Sequence, residues 1–404
     1  MRRFSLLLIL VLLLPLRLSG QERRPAAAPT VPAAAASKER PRLPAADGPV
    51  AARELLNRRI AARFAPIFYQ GLGDHPRGDY IVKFDFDGDW RGDNNWENLN
   101  NFSLPLRAYV YFSVTETATH YLVHYAVFHP RDYKKEVDEA ATASGMLETL
   151  IFEGLRRIGK DPTGGLANQI ALAHENDLEG CLVVAEKIGS DPAKAEVRFV
   201  ETLAHNRFLR YCAGKPRPGR CETIQMEDQH PLVFIEPKGH GQLGYTGDPA
   251  QLKGSEGGVL VYSYTGKADN QDLVTSKSIG YDLLPIYDTL WARAQQVNEK
   301  GENETYGEGF DFKTRAVLRA ASEKDATAPR RMEQKLGLIG STFRGEVGFK
   351  NKARSPWGWF DSSEPDRPQG EWFFDPASVI ASHFSLGPEF SAAYVYHPYF
   401  RVGP

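Results

Sequence analysis

His174, Asp177 and Glu179 stand in the segment Ala173-His174-Glu175-Asn176-Asp177-Leu178-Glu179-Gly180, directly ahead of the apolar run Cys181-Leu182-Val183-Val184. Side chains alternate across an extended strand, so Asp177 and Glu179 are expected on one face. Two carboxylates held beside a buried strand repel each other and are costly to desolvate unless something positive joins them. His174 offers a neutral nitrogen to the same spot, and Asp132, at the end of an upstream strand, offers a third carboxylate. Three carboxylates and one imidazole form an oxygen-rich donor set, which favours Mg²⁺, Ca²⁺ or Mn²⁺ over a structural zinc centre. A surface turn whose acids are unrelated explains the same spacing without a metal. His205 and His240 are candidates for partners behind these ligands or for contacts to a bound molecule. For either histidine alone, an ordinary hydrogen-bonded role is at least as good a reading.

Other clusters carry weaker chemistry. Asp85, Asp87 and Asp89 suggest a calcium loop, but an EF-hand beginning at Asp85 needs Gly where Trp90 stands and Glu where Trp96 stands. A solvated acidic loop is the plainer reading. Trp357, Trp359 and Trp372 have faces suited to sugar rings, yet tryptophans beside Pro and Gly more often plug a core beneath long loops. No Gly-x-Ser-x-Gly elbow, P-loop, Rossmann fingerprint or His-Glu-x-x-His zincin motif is present. No catalytic residue is assigned.

The elements that must position these residues read as mainly β. Arg107 to Val114 and His120 to Phe128 are rich in β-branched and aromatic residues and predict two strands. Further strands are expected at 66–69, 182–187, 196–202, 231–236 and 258–264. A helix is expected over 51–64, with Leu55, Leu56, Ile60 and Phe64 on its buried face. Residues 133–159, 286–297 and 313–335 also read as helical. Short strands with Gly and Pro turns favour an α+β, mainly β fold, an antiparallel β-sandwich with added surface helices.

Compartment and size frame the rest. Arg2, Arg3 and the apolar stretch Leu6 to Leu16 read as a signal peptide over 1–20, ending at Ser19-Gly20. Residues 21–50, dominated by Ala and Pro, read as a linker. Residues 51–404 are expected to form a single β-sandwich domain with a C-terminal helical and Trp-rich extension. The chain is therefore expected to be secreted or periplasmic, without a transmembrane segment. Losing Arg2, Arg3 and Arg17 with the leader takes the formal charge from −2 to −5, which argues against nucleic acid as partner. An oxidising compartment allows Cys212 and Cys221 to pair across their hairpin-like loop, whereas Cys181 reads as a small core residue.

His-x-x-Asp-x-Glu before a buried strand, preceded by Phe128-His129-Pro130-Arg131-Asp132, resembles the necrosis- and ethylene-inducing protein family. That family carries a Tyr-x-Pro-Lys-Asp-like segment followed by Gly-His-Arg-His-Asp-Trp-Glu. Vacuolar-sorting-62-type domains are similar as well, with a later strand ending in Gly-Ser-His like Val233-Phe234-Ile235-Glu236-Pro237-Lys238-Gly239-His240 here. The resemblance spans roughly residues 64 to 245. It implies that His174, Asp177 and Glu179 are metal ligands and that Asp132 is the upstream aspartate. Leu178 in place of the family tryptophan, Asn176 in place of the histidine or glycine, and the insertion between Asp132 and His174 depart from the toxin pattern.

Three functions remain in play. The first is a metal-dependent binder of a sugar or lipid headgroup. The second is a metal-dependent hydrolase of phosphoester or glycosidic bonds, with His205 or His240 as acid/base. The third is a structural or interaction protein whose ion pins loops.

Overall fold

Helix α1 (Pro49–Arg63) opens the described chain, with proline in its first turn where no intrahelical N–H is needed. The computed structural model describes residues 48–132, 174–214, 221–252, 254–312, 315–319, 330–346, 353–384, 386, 389–400 and 402–403. All of them belong to the compact unit Asp47–Pro404. The expected leader and most of the expected linker lie outside the described residues, as does the expected helix over 133–159.

The strands are β1 (Ile67–Leu72), β2 (Tyr109–Thr117), β3 (His120–Asp132), β4 (His174–Glu186), β5 (Glu196–Ala204), β6 (Arg207–Ala213), β7 (Glu222–Ile224), β8 (Met226–Glu227), β9 (His230–Ile235), β10 (Gln242–Gly244), β11 (Gly258–Tyr264), β12 (Ser278–Pro285), β13 (Tyr306–Phe312), β14 (Arg315–Arg319), β15 (Arg330–Gln334), β16 (Gly337–Phe343) and β17 (Tyr394–Tyr396). One sheet runs β10-β9-β1-β11-β12-β2-β3-β4-β5-β6-β7, and β13 pairs with β16 in a separate ribbon. Strand β10 also lies against β5, so the sheet curls back on itself.

The chain is mainly β with a few helices, as its strand-forming runs require. The sheet is mixed rather than purely antiparallel: β1–β9, β11–β12, β12–β2 and β6–β7 pair parallel. Strand composition reveals extended backbone but not the direction of a partner distant in sequence, which is where the expectation falls short.

Strand β3 is buried along its whole length. Tyr121, Val123, Tyr125 and Val127 point into one core with Ile60, Phe64, Phe68 and Val233. Leu122, Ala126 and Phe128 point into another with Trp357, Trp359, Trp372 and Phe373. A strand covered on both faces needs apolar residues at successive positions, which explains why its sequence does not alternate with polar ones. Ile60 of α1 and Phe64 just past its end are buried in the first core and Leu56 packs against it, as expected, whereas Leu55 is exposed.

The second core is roofed by short helices α2 (Asn95–Asn98), α3 (Glu371–Phe374) and α4 (Pro376–His383) and by the tryptophans. All three tryptophans that had seemed suited to sugars are buried, and each indole N–H is used: Trp357 donates to the Gly340 carbonyl, Trp359 to the Leu178 carbonyl and Trp372 to Glu201 Oε2. They are core residues. Within the expected helix over 313–335, the described residues 315–319 and 330–334 form the antiparallel pair β14–β15. Its Ala, Arg, Leu and Glu content favours helix, but pairing within the sheet overrides that local preference.

Candidate metal centre

The ladder between β3 and β4 sets the site. Asp132 is directly opposite His174, and His129 is opposite Asp177. The His174 motif is thus the first half of a long strand rather than a turn ahead of one.

In an unbroken strand His174 and Asp177 lie on opposite faces, about 10 Å apart along the chain. Asn176 changes that parity. Its φ is 60°, a left-handed conformation that asparagine adopts more readily than other residues with a Cβ. Three buried hydrogen bonds hold it there. Asn176 Nδ2 donates to the carbonyls of Gly92 (2.7 Å) and Arg344 (2.8 Å), and Oδ1 accepts from Asn95 Nδ2 (2.7 Å). With the pleat reversed, ligand atoms of Asp132, His174 and Asp177 come within 4.8 Å of one another.

His174 Nδ1 lies 2.8 Å from the Asn176 carbonyl, which can only accept, so the proton belongs on Nδ1. Its Nε2 lies 3.0 Å from Asp132 Oδ2. Burial by itself would lower the pKa of His174, but the charge and hydrogen bond of Asp132, with Asp177 beyond, raise it. Glu179, two residues past Asp177, shares its neighbourhood as alternation predicts. Burial raises the Glu179 carboxyl well above the usual carboxylate range, and the charges of Asp177 and Asp132 add to that, against opposing effects from His240 and the Gln242 N–H. Glu179 falls outside the tight Asp132–His174–Asp177 group and stands beside it.

Two oxygens in this cluster have no partner among the described residues: Asp132 Oδ1 and Glu179 Oε2, both inaccessible to solvent. Buried polar atoms are normally satisfied, and carboxylate oxygens especially so. Anionic, crowded and unsatisfied, the donor set fits a cation.

His240 comes from the loop after β9, where Lys238 and His240 take positive φ values of 70° and 51°. Its ring is fully buried, with Nδ1 2.9 Å from Asp177 Oδ2 and Nε2 3.1 Å from Asp79 Oδ1. Burial opposes charging, but the hydrogen bonds and charges of Asp177 and Asp79 prevail and raise its pKa to about 10. It supports Asp177 from behind. His205 sits elsewhere: with Asn206 it forms the two-residue turn between β5 and β6, both at positive φ (52° and 58°), as such hairpins favour. The His205 side chain is exposed, its Nε2 2.6 Å from Glu236 Oε2. That hydrogen bond raises its pKa, and the charges of Asp132 and Asp177 reach it. His205 belongs to the rim.

Asp79, Gln70 and His129 were not legible as parts of this site. Asp79 accepts from the backbone of Gly73 and Lys238 as well as contacting His240. His129 stacks flat on His240, with ring centroids 3.7 Å apart. Their signal in the sequence was slight: an acid in a Gly-rich turn, and a histidine in the apolar strand leading to Asp132. The acidic loop behaves as the plainer reading expects. Asp85 pairs with Lys83, Asp87 accepts from Asn98, and Asp89 accepts from the Arg91 N–H.

Cys212 and Cys221 form a disulfide, with Cα atoms 5.6 Å apart, which fits an oxidising compartment; Cys181 is a free, buried thiol. Among the described residues no helix is long and apolar enough to cross a membrane.

No family model and no curated protein matches the chain. Among solved structures it is similar to the non-toxic HaNLP3 protein, at 12% identity over 60% of this chain and 80% of that one, with a TM-score of 0.29. It is also similar to necrosis and ethylene inducing protein 2 from the causal agent of cocoa's witches' broom disease, at 16% identity over 60% and 79%, with a TM-score of 0.24. A third neighbour is NLPPya in complex with mannosamine, at 16% identity over 46% and 66%, with a TM-score of 0.25. The neighbours are thus necrosis- and ethylene-inducing proteins, at low identity and low structural score. They carry no residue role to this chain, and they lend nothing to the vacuolar-sorting-62 part of the resemblance.

Proposed function

We propose that this chain is a secreted protein that holds one divalent cation, Mg²⁺, Ca²⁺ or Mn²⁺, on Asp132, His174, Asp177 and Glu179. The cation docks an oxygen-rich ligand, the hydroxyls of a sugar or the phosphate of a lipid headgroup. The observation that carries this reading is the pair of buried oxygens without a partner among the described residues, Asp132 Oδ1 and Glu179 Oε2, beside a third carboxylate and the imidazole of His174. The imidazolium of His240 offsets part of the charge on Asp177, but it bonds neither Asp132 Oδ1 nor Glu179 Oε2, whose desolvation a cation would repay. A bound divalent ion supplies positive charge and open coordination positions for ligand oxygens. In this reading His205, at the exposed rim with Glu236, would bond the remaining polar groups of that ligand.

Calorimetric titration of the chelated protein with MgCl₂, CaCl₂ and MnCl₂ tests the site. Asp177→Ala is expected to lower affinity at least a hundredfold while the protein is still exported. Unchanged affinity would remove the assignment. Mannosamine and glucosamine, the sugars named in complexes of two neighbours, are suitable first probes, with phospholipid vesicles as the other arm. Binding that persists in excess chelator would detach the ligand from the metal.

A second reading, metal-assisted hydrolysis of a phosphoester or glycosidic bond, draws on the His205–Glu236 pair as a possible acid/base at the rim. Turnover of nitrophenyl phosphate or nitrophenyl glycosides, lost in His205→Ala but with metal affinity retained, separates it from simple binding. If neither binding nor turnover depends on the ion, the loop-pinning structural role is what remains.

A further inference from the structure

We propose that strand β10 is a working part of the metal centre: it positions Asp177 and Glu179 from across the seam where the sheet curls back on itself, so that closure of the seam and occupancy by the ion favour each other. This deepens the proposed metal centre and rests on that reading for the ion.

Strand β10 lies against β5, yet among the described residues it pairs only with β9, so no backbone ladder closes the seam there. The approach is nonetheless close. A Cβ on Gly241 would lie 3.2 Å from the Ala204 Cβ on β5, and one on Gly244 would lie 2.8 Å from the Tyr211 ring on β6. Glycine at both positions admits this close packing. Side chains make the ties instead. His240 Nδ1 lies 2.9 Å from Asp177 Oδ2, and the Gln242 N–H bonds the Glu179 carboxylate. Farther out, His205 Nε2 lies 2.6 Å from Glu236 Oε2. The first two ties end on β4, at carboxylates proposed for the cation.

A backbone N–H at a strand edge needs an acceptor, and at Gln242 that acceptor is a metal ligand. The long Glu179 side chain is free to take several rotamers, and the bond from Gln242 limits where its carboxylate can go, as outer partners of metal ligands do. The Gln242 carboxamide, by contrast, is fully buried and both its polar atoms lack a partner among the described residues. The backbone, not the side chain, is the positioning group. Charge lets the ion and His240 coexist. His240, bonded at both ring nitrogens to Asp177 and Asp79, adds one positive charge, and the carboxylates of Asp132, Asp177 and Glu179 balance it together with a divalent ion. Linkage is reciprocal: the factor by which the closed seam tightens the ion is the factor by which the ion slows opening of the seam. For one hydrogen bond to a charged group that factor is about tenfold or more.

Hydrogen exchange read by mass spectrometry tests the linkage on the full-length protein, stripped with chelator or loaded with MnCl₂. Peptides covering Gln242 to Gly244 are expected to exchange about tenfold more slowly with Mn²⁺, a larger change than in peptides of α1 or β2. Unchanged exchange at β10, while calorimetry records Mn²⁺ binding, overturns the linkage and leaves the metal centre standing. Equal slowing in every peptide is global stabilisation and overturns it as well. No Mn²⁺ binding removes the metal centre and this proposal with it. Two variants then assign the group. Gln242→Pro removes the N–H and is expected to weaken Mn²⁺ binding about tenfold, whereas Gln242→Leu keeps the N–H and should bind like the wild type. Equal affinity in both variants overturns the role of the N–H. Because proline can disturb the strand, exchange in the wild type decides independently of either variant.

Discussion

Asn176 is the residue on which the parity of the site turns, and replacing it separates backbone geometry from hydrogen bonding. Asn176→Ala removes three buried hydrogen bonds and leaves the carbonyls of Gly92 and Arg344 and the amide of Asn95 short of a partner. At about 1 kcal/mol each, with part of the desolvation of the abandoned groups added, the loss is about 3–5 kcal/mol. Alanine must also keep φ near 60°, which costs it about 1–2 kcal/mol. Asn176→Gly gives up the same hydrogen bonds but takes the left-handed conformation without a steric cost, so it is expected to be more stable than the alanine variant by about 1 kcal/mol. The two variants should diverge further in function. Alanine can relieve its strain by returning to ordinary strand geometry, which swings His174 away from Asp177. Glycine need not. Urea unfolding gives the stabilities, and calorimetry with Mn²⁺ gives the affinities. If Ala and Gly lose equal stability and both bind Mn²⁺ like the wild type, Asn176 does not set the parity and the reasoning fails.

Acid should weaken the metal site. In the metal-free protein burial raises the Glu179 carboxyl above the usual carboxylate range, and His240 is raised to about 10, so His240 holds a proton at neutral pH. An ion takes Glu179 as ligand only in its carboxylate form, so across the range where Glu179 titrates affinity rises with pH and falls about tenfold per unit of acidification for each proton released. Titrations in buffers of different ionisation enthalpy count those protons; an affinity flat between pH 5 and 7.5 would contradict the assignment of Glu179. Away from the site, Glu201 on β5 is fully buried, with Oε1 2.5 Å from His383 Nδ1 and Oε2 accepting from Trp372 Nε1. Glu201→Ala leaves Trp372 Nε1 and His383 Nδ1 without their acceptor in the core and should cost about 3–5 kcal/mol in urea unfolding. A loss below about 1 kcal/mol would mean that the C-terminal helices dock without this anchor.

What the sequence disclosed follows from how far each signal reaches along the chain. β3 was legible because His120 to Phe128 is dense in strand formers, and the tryptophans read correctly as core because each sits beside Pro, Gly or other aromatics. The segment 313–335 misled because its residues favour helix when taken alone, and only pairing within the sheet makes them strands. The site was legible as far as its spacing: alternation brings Asp177 and Glu179 together, and the motif supplies His174 and Asp132. It was not legible in depth. Asp79, Gln70 and His129 come from segments with no motif: Asp79 bonds His240, Gln70 bonds His129, and His129 stacks on His240. Asn176 marks the boundary most clearly. In the sequence it was only a departure from a family pattern, whereas in the fold its left-handed φ converts an odd spacing, three residues from His174 to Asp177, into a shared face. A His-x-x-Asp spacing on a strand therefore implies a common site only when one of the two intervening residues reverses the pleat, and asparagine or glycine at those positions is the feature to look for.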